Sequence, residues 1–259
     1  MERSGMSGEE MGFFTDVTLC IGCKACEVAC KQWNQLPSDG YAFSGNSYDN
    51  TGRLSASTWR HVDFVEQFDR INPAESRWVM MSDVCKHCTH AGCMEACPTG
   101  AIIRNEFGAV YVQPDICNGC GYCVPACPFG VVAIQEEQGV AQKCTLCYDR
   151  MKDGIEPACA KACPTDSIQF GPVEKLKERA KRRTEELLAR NVPARLYGVD
   201  EDTSVGDLNA FFLITDRPEV FNLPPKPVLP STYQPVAYLS GFLATAALAV
   251  VAMQAFRSR

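Results

Sequence analysis

Sixteen cysteines carry the chemistry of this chain, and they fall into four groups of four. Cys20, Cys23, Cys26 and Cys30 are spaced C-x2-C-x2-C-x3-C. Cys85, Cys88, Cys93 and Cys97 read C-x2-C-x4-C-x3-C-P, and Cys117, Cys120, Cys123 and Cys127 read C-x2-C-x2-C-x3-C-P. Cys144, Cys147, Cys159 and Cys163 complete the series as C-x2-C-x11-C-x3-C-P, leaving no cysteine over. Three closely spaced thiolates surround one face of an iron–sulfur cube, and a fourth, three residues on, ligates a different cube supplied by a partner motif. Four motifs in two reciprocal pairs predict four [4Fe-4S] clusters. The spacing also places the start of a short helix at each fourth cysteine. A proline after that cysteine fixes φ and removes one N–H. Pro98, Pro128 and Pro164 hold that position, whereas motif one has Lys31.

Two other uses of cysteine fit less well. A zinc scaffold, the non-redox alternative, joins two C-x2-C knuckles in one four-thiolate site and needs no third cysteine followed by x3-C-P. Disulfides suit short secreted domains, and cysteines this close along the chain are poorly placed to pair with one another. The Met1 to Asp16 stretch shows neither an apolar signal core nor twin arginines. No C-x-x-C-H is present for covalent haem.

The intervening residues must position these motifs. Ala101 to Val112 reads as a hairpin turning at Asn105-Glu106-Phe107-Gly108, and Val131 to Lys143 repeats the scheme around Glu136 to Gly139. Ser167 to Phe170 is a third β-rich phrase, and Thr58 to Glu66 and Trp78 to Ser82 read as further strands. Ser38 to Ser57, rich in Gly, Ser and Asn, reads as a long loop. Val173 to Arg190 has helical periodicity, with Val173, Leu176, Ala180, Thr184, Leu187 and Leu188 on one face. Its other face carries Lys175, Arg179, Arg182 and Arg183, with Glu178–Arg182 and Lys181–Glu185 as expected i,i+4 pairs. That basic face reads as a solvated cover for the core rather than a docking surface. Arg195 to Gly198 and Ala210 to Thr215 are short strand candidates.

Asn222 to Pro235 is proline-rich and reads as an extended tether. Val236 to Phe256 follows as 21 uncharged residues, about 32 Å as a helix and close to the ~30 Å hydrocarbon thickness. Ala237, Gly241, Thr245 and Ala249 line one small-residue face, suited to packing against another membrane helix. Arg257 and Arg259 follow the span, while Lys226 is the nearest cation before it. The positive-inside tendency puts the tail in the cytoplasm and residues 1–235 on the outer, periplasmic face, with the cytoplasmic face as the alternative.

Composition bounds the function. With 46% hydrophobic and 22% charged residues the chain is globular, and a formal charge of -6 speaks against nucleic acid as a partner. G-x-G-x-x-G, G-x-S-x-G, H-E-x-x-H and Walker motifs are absent. His61, His87 and His90 read as hydrogen-bonding residues, and Trp33, Trp59 and Trp78 as packing rather than redox relays. Gly22 and Gly119 are expected to let backbone amides approach a cluster. The chain reads as an electron conductor, catalytic residues none.

The phrases DVTLCIGCKACEVACKQWNQLP, CNGCGYCVPACPFGV and KCTLCYDRMKDGIEPACAKACPTDSIQFG resemble the iron–sulfur (beta) subunits of molybdenum or tungsten bis-molybdopterin oxidoreductases. The likeness covers residues 12–171 and is strongest to the membrane-bound formate dehydrogenase branch, whose members also carry one C-terminal transmembrane helix. It implies an α+β fold of tandem bacterial-type ferredoxin modules. The outer module would comprise residues 12–84 and 135–171, and the inserted inner module 85–134. After them come an extension over 172–221, the tether over 222–235 and a transmembrane helix over 236–256. It implies four clusters: Cys20, Cys23, Cys26 with Cys163; Cys144, Cys147, Cys159 with Cys30; Cys85, Cys88, Cys93 with Cys127; and Cys117, Cys120, Cys123 with Cys97. The outer pair would face a molybdopterin catalytic subunit, and the inner pair a membrane cytochrome b or quinone-binding subunit. Polysulfide reductase, dimethyl sulfoxide reductase and hydrogenase complexes are the sister alternatives.

Overall fold

The computed structural model describes residues 8–40, 43, 45, 47–68, 76–200 and 202–257. Met1 to Ser7, used in the signal-peptide reading, and Arg259 lie outside the described residues.

A four-stranded sheet organises the molecule. Its central strand β1, Met11–Asp16, is buried at every position. β1 runs antiparallel to β8 (Ile168–Pro172) and parallel to β10 (Ala210–Ile214), and β9 (Arg195–Tyr197) closes the far edge. Its alternation sorts two cores. Met11 and Phe13 point into the core that holds the cysteines, while Phe14 joins the core under α6 (Val173–Ala189). A central strand covered on both faces has no reason to alternate polar and apolar residues. The MGFFTD run therefore lacks the period-2 signal, and nothing in the sequence alone marks it as a strand.

Between β1 and β8 lie the cysteine motifs with five helices, two of them in motif four: α1 (Ala25–Asn34), α2 (Gly92–Glu95), α3 (Cys123–Ala126), α4 (Tyr148–Lys152) and α5 (Ala158–Lys161). Both expected hairpins form, and the two further expected strands pair with each other. β2 (Arg60–Gln67) pairs with β3 (Arg77–Val84), β4 (Ile102–Arg104) with β5 (Val110–Val112), and β6 (Ala133–Gln135) with β7 (Val140–Gln142). Asn105 makes the β4–β5 turn by accepting the N–H groups of Phe107 and Ala109 on its Oδ1. The β6–β7 hairpin returns against motif three, where the Ala141 N–H donates to Cys117 Sγ at 3.4 Å.

α6 buries Val173, Leu176, Ala180 and Leu187 as the periodicity predicts. Leu188 does not follow and is 52% exposed, because the helix ends one residue later, where the face turns outward. Lys181 pairs with Asp200 at 2.6 Å instead of Glu185, and Lys177 bridges Glu174 and Asp207. Arg183 reaches the buried Asp16 at 3.0 Å. These contacts pin the helix to the sheet and the following loop, which intrahelical pairs could not do.

The proline-rich stretch is extended only as far as Leu229, turns helical from Pro230 onward because Pro230 pre-sets a helical φ at the start of a 3-10 turn, and is not free. Leu223 and Leu229 are buried, Tyr197 Oη donates to the Pro224 carbonyl, and the Leu229 N–H donates to Ser204 Oγ. Ser231 Oγ donates to Glu95 on α2 at 2.8 Å. It is a strap along the body, ending where α7 (Gln234–Arg257) begins. The Pro230–Arg257 segment has a window of mean hydropathy 2.0 with none of it buried, long and apolar enough to cross a membrane. The Thr245 hydroxyl donates to the Gly241 carbonyl, so its polar group is satisfied within the helix.

Candidate metal centres

Each motif bends in the same way. The residue two beyond the first cysteine is left-handed in all four: Gly22 (φ 66°), His87 (46°), Gly119 (70°) and Leu146 (58°). This turn aims a backbone N–H back at the first sulfur, and Leu146 donates to Cys144 Sγ at 3.3 Å. Glycine is obligatory at Gly119, where a Cβ would lie 2.1 Å from the Gly139 carbonyl oxygen. The helices begin near the third cysteine, not at the fourth as expected. Cys26, Cys93, Cys123 and Cys159 lie at or next to the first helical residue, and Cys97, Cys127 and Cys163 follow the last turn. Cys30 lies inside the longer α1. One turn of helix thus separates a motif's own sulfurs from the sulfur it lends elsewhere.

The cysteines gather across motifs. One cavity is lined by Cys20, Cys23, Cys26 and Cys163, and a second by Cys85, Cys88, Cys93 and Cys127. Burial, then repulsion from Cys144, Cys159 and Cys147, raises the Cys30 thiol well above its ordinary value. Cys123 is pushed up to about 11 by burial, with Cys117, Cys120 and Cys97 as its charged neighbours. Burial also takes Cys26, Cys93 and Cys147 to about 12. Protein groups alone therefore leave most of these sulfurs protonated, whereas a bound metal deprotonates a coordinating thiol outright. The donor set fits iron–sulfur clusters.

His87 supports the same fit. Its ring is fully buried and lines the second cavity. Nδ1 accepts the Val110 N–H at 3.1 Å, which assigns the proton to Nε2, and Nε2 has no partner among the described residues. Burial holds the ring neutral, well below its ordinary pKa. An orphaned donor beside four cysteines suits an inorganic sulfide.

Three buried cations carry no signal in the sequence. Arg60 donates to Cys159 Sγ at 3.4 Å, with its guanidinium 4.7 Å from the Phe13 ring centre. Lys143 donates to Cys85 Sγ at 3.4 Å and to the Val110 and Cys144 carbonyls. Lys86 pairs with Asp83 and lies 5.3 Å from the Phe129 and Phe212 ring centres. Nothing in the sequence separates these from surface cations, since burial is decided by distant strands.

The remaining predicted residues take other places. His61 is clamped by Asp49 at 2.8 Å and Asp63 at 3.1 Å, and His90 is exposed. Trp59 packs in the core, but Trp33 and Trp78 are half exposed. Trp33 donates to Asp149 beneath Arg150, and Trp78 joins Tyr48 and Phe64 in a surface aromatic cluster.

The 4Fe-4S dicluster domain matches the chain over residues 19–101 and again over 76–173. The formate dehydrogenase-O iron-sulfur subunit of Escherichia coli is 40% identical over 256 residues, covering 93% of this chain and 82% of that protein. The chain belongs to the formate dehydrogenase iron–sulfur subunit family. The formate dehydrogenase iron-sulfur subunit of Haemophilus influenzae is 42% identical, covering 84% of this chain and 69% of that protein. The B component of the anaerobic dimethyl sulfoxide reductase of E. coli is more distant, at 33% identity over 66% of this chain and 77% of its own length. This formate dehydrogenase-type subunit is thus an electron-transfer component of an oxidoreductase complex. Its two dicluster matches and sixteen cysteines are consistent with four [4Fe-4S] clusters.

Proposed function

We propose that the chain relays electrons through four [4Fe-4S] clusters between a molybdenum or tungsten formate dehydrogenase subunit and a membrane haem- or quinone-reactive subunit. The ligand sets are Cys20, Cys23, Cys26 and Cys163 for the first cluster, and Cys30, Cys144, Cys147 and Cys159 for the second. Cys85, Cys88, Cys93 and Cys127 hold the third, and Cys97, Cys117, Cys120 and Cys123 the fourth. Bound there, each cluster would accept and release one electron.

The observation that carries this reading is a series of links passing from set to set. Ser82 Oγ lies 3.3 Å from Cys26 Sγ and 3.3 Å from the Arg60 guanidinium that donates to Cys159, Lys143 donates to both Cys85 Sγ and the Cys144 carbonyl, and α2 carries Cys93 and leads into Cys97. Each link joins one set to the next, so the four sets form a row from first to fourth. Cys23 and Cys120 are the exposed cysteines, one in each end set, and the second set is wholly buried. A conductor needs open ends for its partners and a dry middle.

The strap supports the direction. It delivers α7 beside α2, which carries Cys93 and leads into Cys97. The fourth set therefore faces the membrane subunit and the first the catalytic subunit. The arginine-flanked end of α7 lies in the cytoplasm, and the body on the outer face. Protease protection in sealed vesicles of known sidedness tests that orientation.

Anaerobically purified complex should contain at least sixteen iron atoms per copy of this chain, about four for each cluster and in addition to the iron of its partner subunits, with at least as much acid-labile sulfide and no stoichiometric zinc. Dithionite should elicit low-temperature paramagnetic signals from interacting clusters. Iron near zero with bound zinc would refute the proposal.

A further inference from the structure

Arg60, Lys86 and Lys143 are the buried cations among the described residues, and all three crowd the middle of the row. Arg60 faces Cys159, Cys144 and Cys30 of the second set and Cys26 of the first. Lys86 faces Cys88 and Cys127 of the third. Lys143 stands between the second and third sets, facing Cys85, Cys93 and Cys144. The fourth set meets other groups: Thr99 beside Cys97 and the Ala141 N–H on Cys117.

This distribution follows solvent access. Reduction adds a negative charge to a cluster already negative through its thiolates. At the row's ends, next to the exposed Cys23 and Cys120, water can screen that charge. In the middle, where no cysteine is exposed and the second set is wholly buried, water has less access, and the added charge would be costly unless a fixed cation offsets it. Without compensation, the central clusters would be harder to reduce than the ends and would form a barrier to conduction.

We propose that Lys143 is a potential-setting residue shared by the two central clusters, keeping both reducible at potentials near those of the ends. The proposal rests on the ligand assignment above. The ammonium is shared by position: its Nζ donates to Cys85 Sγ on one side and to the Cys144 carbonyl, 3.2 Å away, on the other. Hydrogen bonds and positive charge at cluster sulfurs both favour the reduced form.

The test is a redox titration of the intact complex, followed by low-temperature paramagnetic resonance, with iron and sulfide measured on each sample. In Lys143→Met the reduced-to-oxidised ratio of both central clusters, at a fixed ambient potential, should fall at least tenfold. That is 59 mV for a one-electron couple. The end clusters should move by less than half that shift in potential, and Lys143→Arg should restore the central pair. Unchanged central midpoints with full iron content would overturn the proposal, as would equal shifts in all four clusters. Lys143→Gln provides a second neutral side chain. If both neutral variants lose iron while Lys143→Arg keeps it, the residue serves cluster retention, and the proposal fails. A wild-type complex short of sixteen irons would instead overturn the ligand assignment.

Discussion

Gly119 and Gly121 sit two residues apart in motif three, and alanine at each should have separable effects. Both have positive φ, +70° and +77°. Forcing alanine into that region costs about 1–2 kcal/mol at either site. The surroundings differ. At Gly121 an added methyl meets nothing within 4 Å, whereas at Gly119 it would lie 2.1 Å from the Gly139 carbonyl oxygen. Ordinary contact needs well over an ångström more, so the β6–β7 turn must move away from the motif, and overpacking of that kind costs about 1–3 kcal/mol. That turn also positions the Ala141 N–H on Cys117 Sγ, so its displacement loosens the fourth set. The readout is bleaching of the visible cluster absorbance by an iron chelator under anaerobic conditions, in the full complex. Where local opening precedes chelation, the rate follows the open population. The extra 1–3 kcal/mol makes the fast bleaching phase of Gly119→Ala about 5- to 150-fold faster than that of Gly121→Ala, at 1.4 kcal/mol per factor of ten. Equal rates for the two variants would refute the close approach, and with it the assignment of the hairpin to motif three.

Removing residues 234–257 should release the chain from membranes with its iron content intact; continued sedimentation with membranes in the absence of partner subunits would show a second attachment. Leu229→Ala, at a site 4% exposed, should destabilise the strap by about 2–5 kcal/mol. Limited proteolysis within residues 222–233 should then be at least tenfold faster. Asp63 has its carboxyl raised to about 7, chiefly by burial and also by Asp83 and Asp49, against the opposing pull of His61 and Lys86. The folded state thus holds a proton that the unfolded chain has released above about pH 4, so this group makes stability fall as pH rises from 4 to 7. Asp63→Asn should flatten that decline in a denaturation series, and an unchanged slope would assign the proton elsewhere.

Cysteine spacing made the metal chemistry legible because a cubane dictates where its ligands fall along the chain. The hairpins were legible from Asn105, Gly108 and Gly139, whose conformations are local. α6 was legible from its period, apart from Leu188 at its end. β1 was not, because its apolar run matches no period and its partner β10 is nearly 200 residues away. The left-handed turn in motifs one and three shows as Gly22 and Gly119, but His87 and Leu146 adopt it without any residue preference announcing it. Arg60, Lys86 and Lys143 look like ordinary surface cations in sequence. Only the assembled sheet and ribbons enclose them beside sulfur.

The parallel pairing of Phe13–Asp16 with Ala210–Leu213 joins nearly the first described residues to a segment made some 200 residues later. During synthesis at about 5–20 residues per second, β1 would wait on the order of 10–40 s without that neighbour. Its other neighbour, β8, emerges only after the last cysteine, Cys163. Every motif therefore leaves the ribosome before β8 and β10 complete the sheet. Until both neighbours of β1 have emerged, the sheet that walls one side of the cysteine-bearing core cannot be complete.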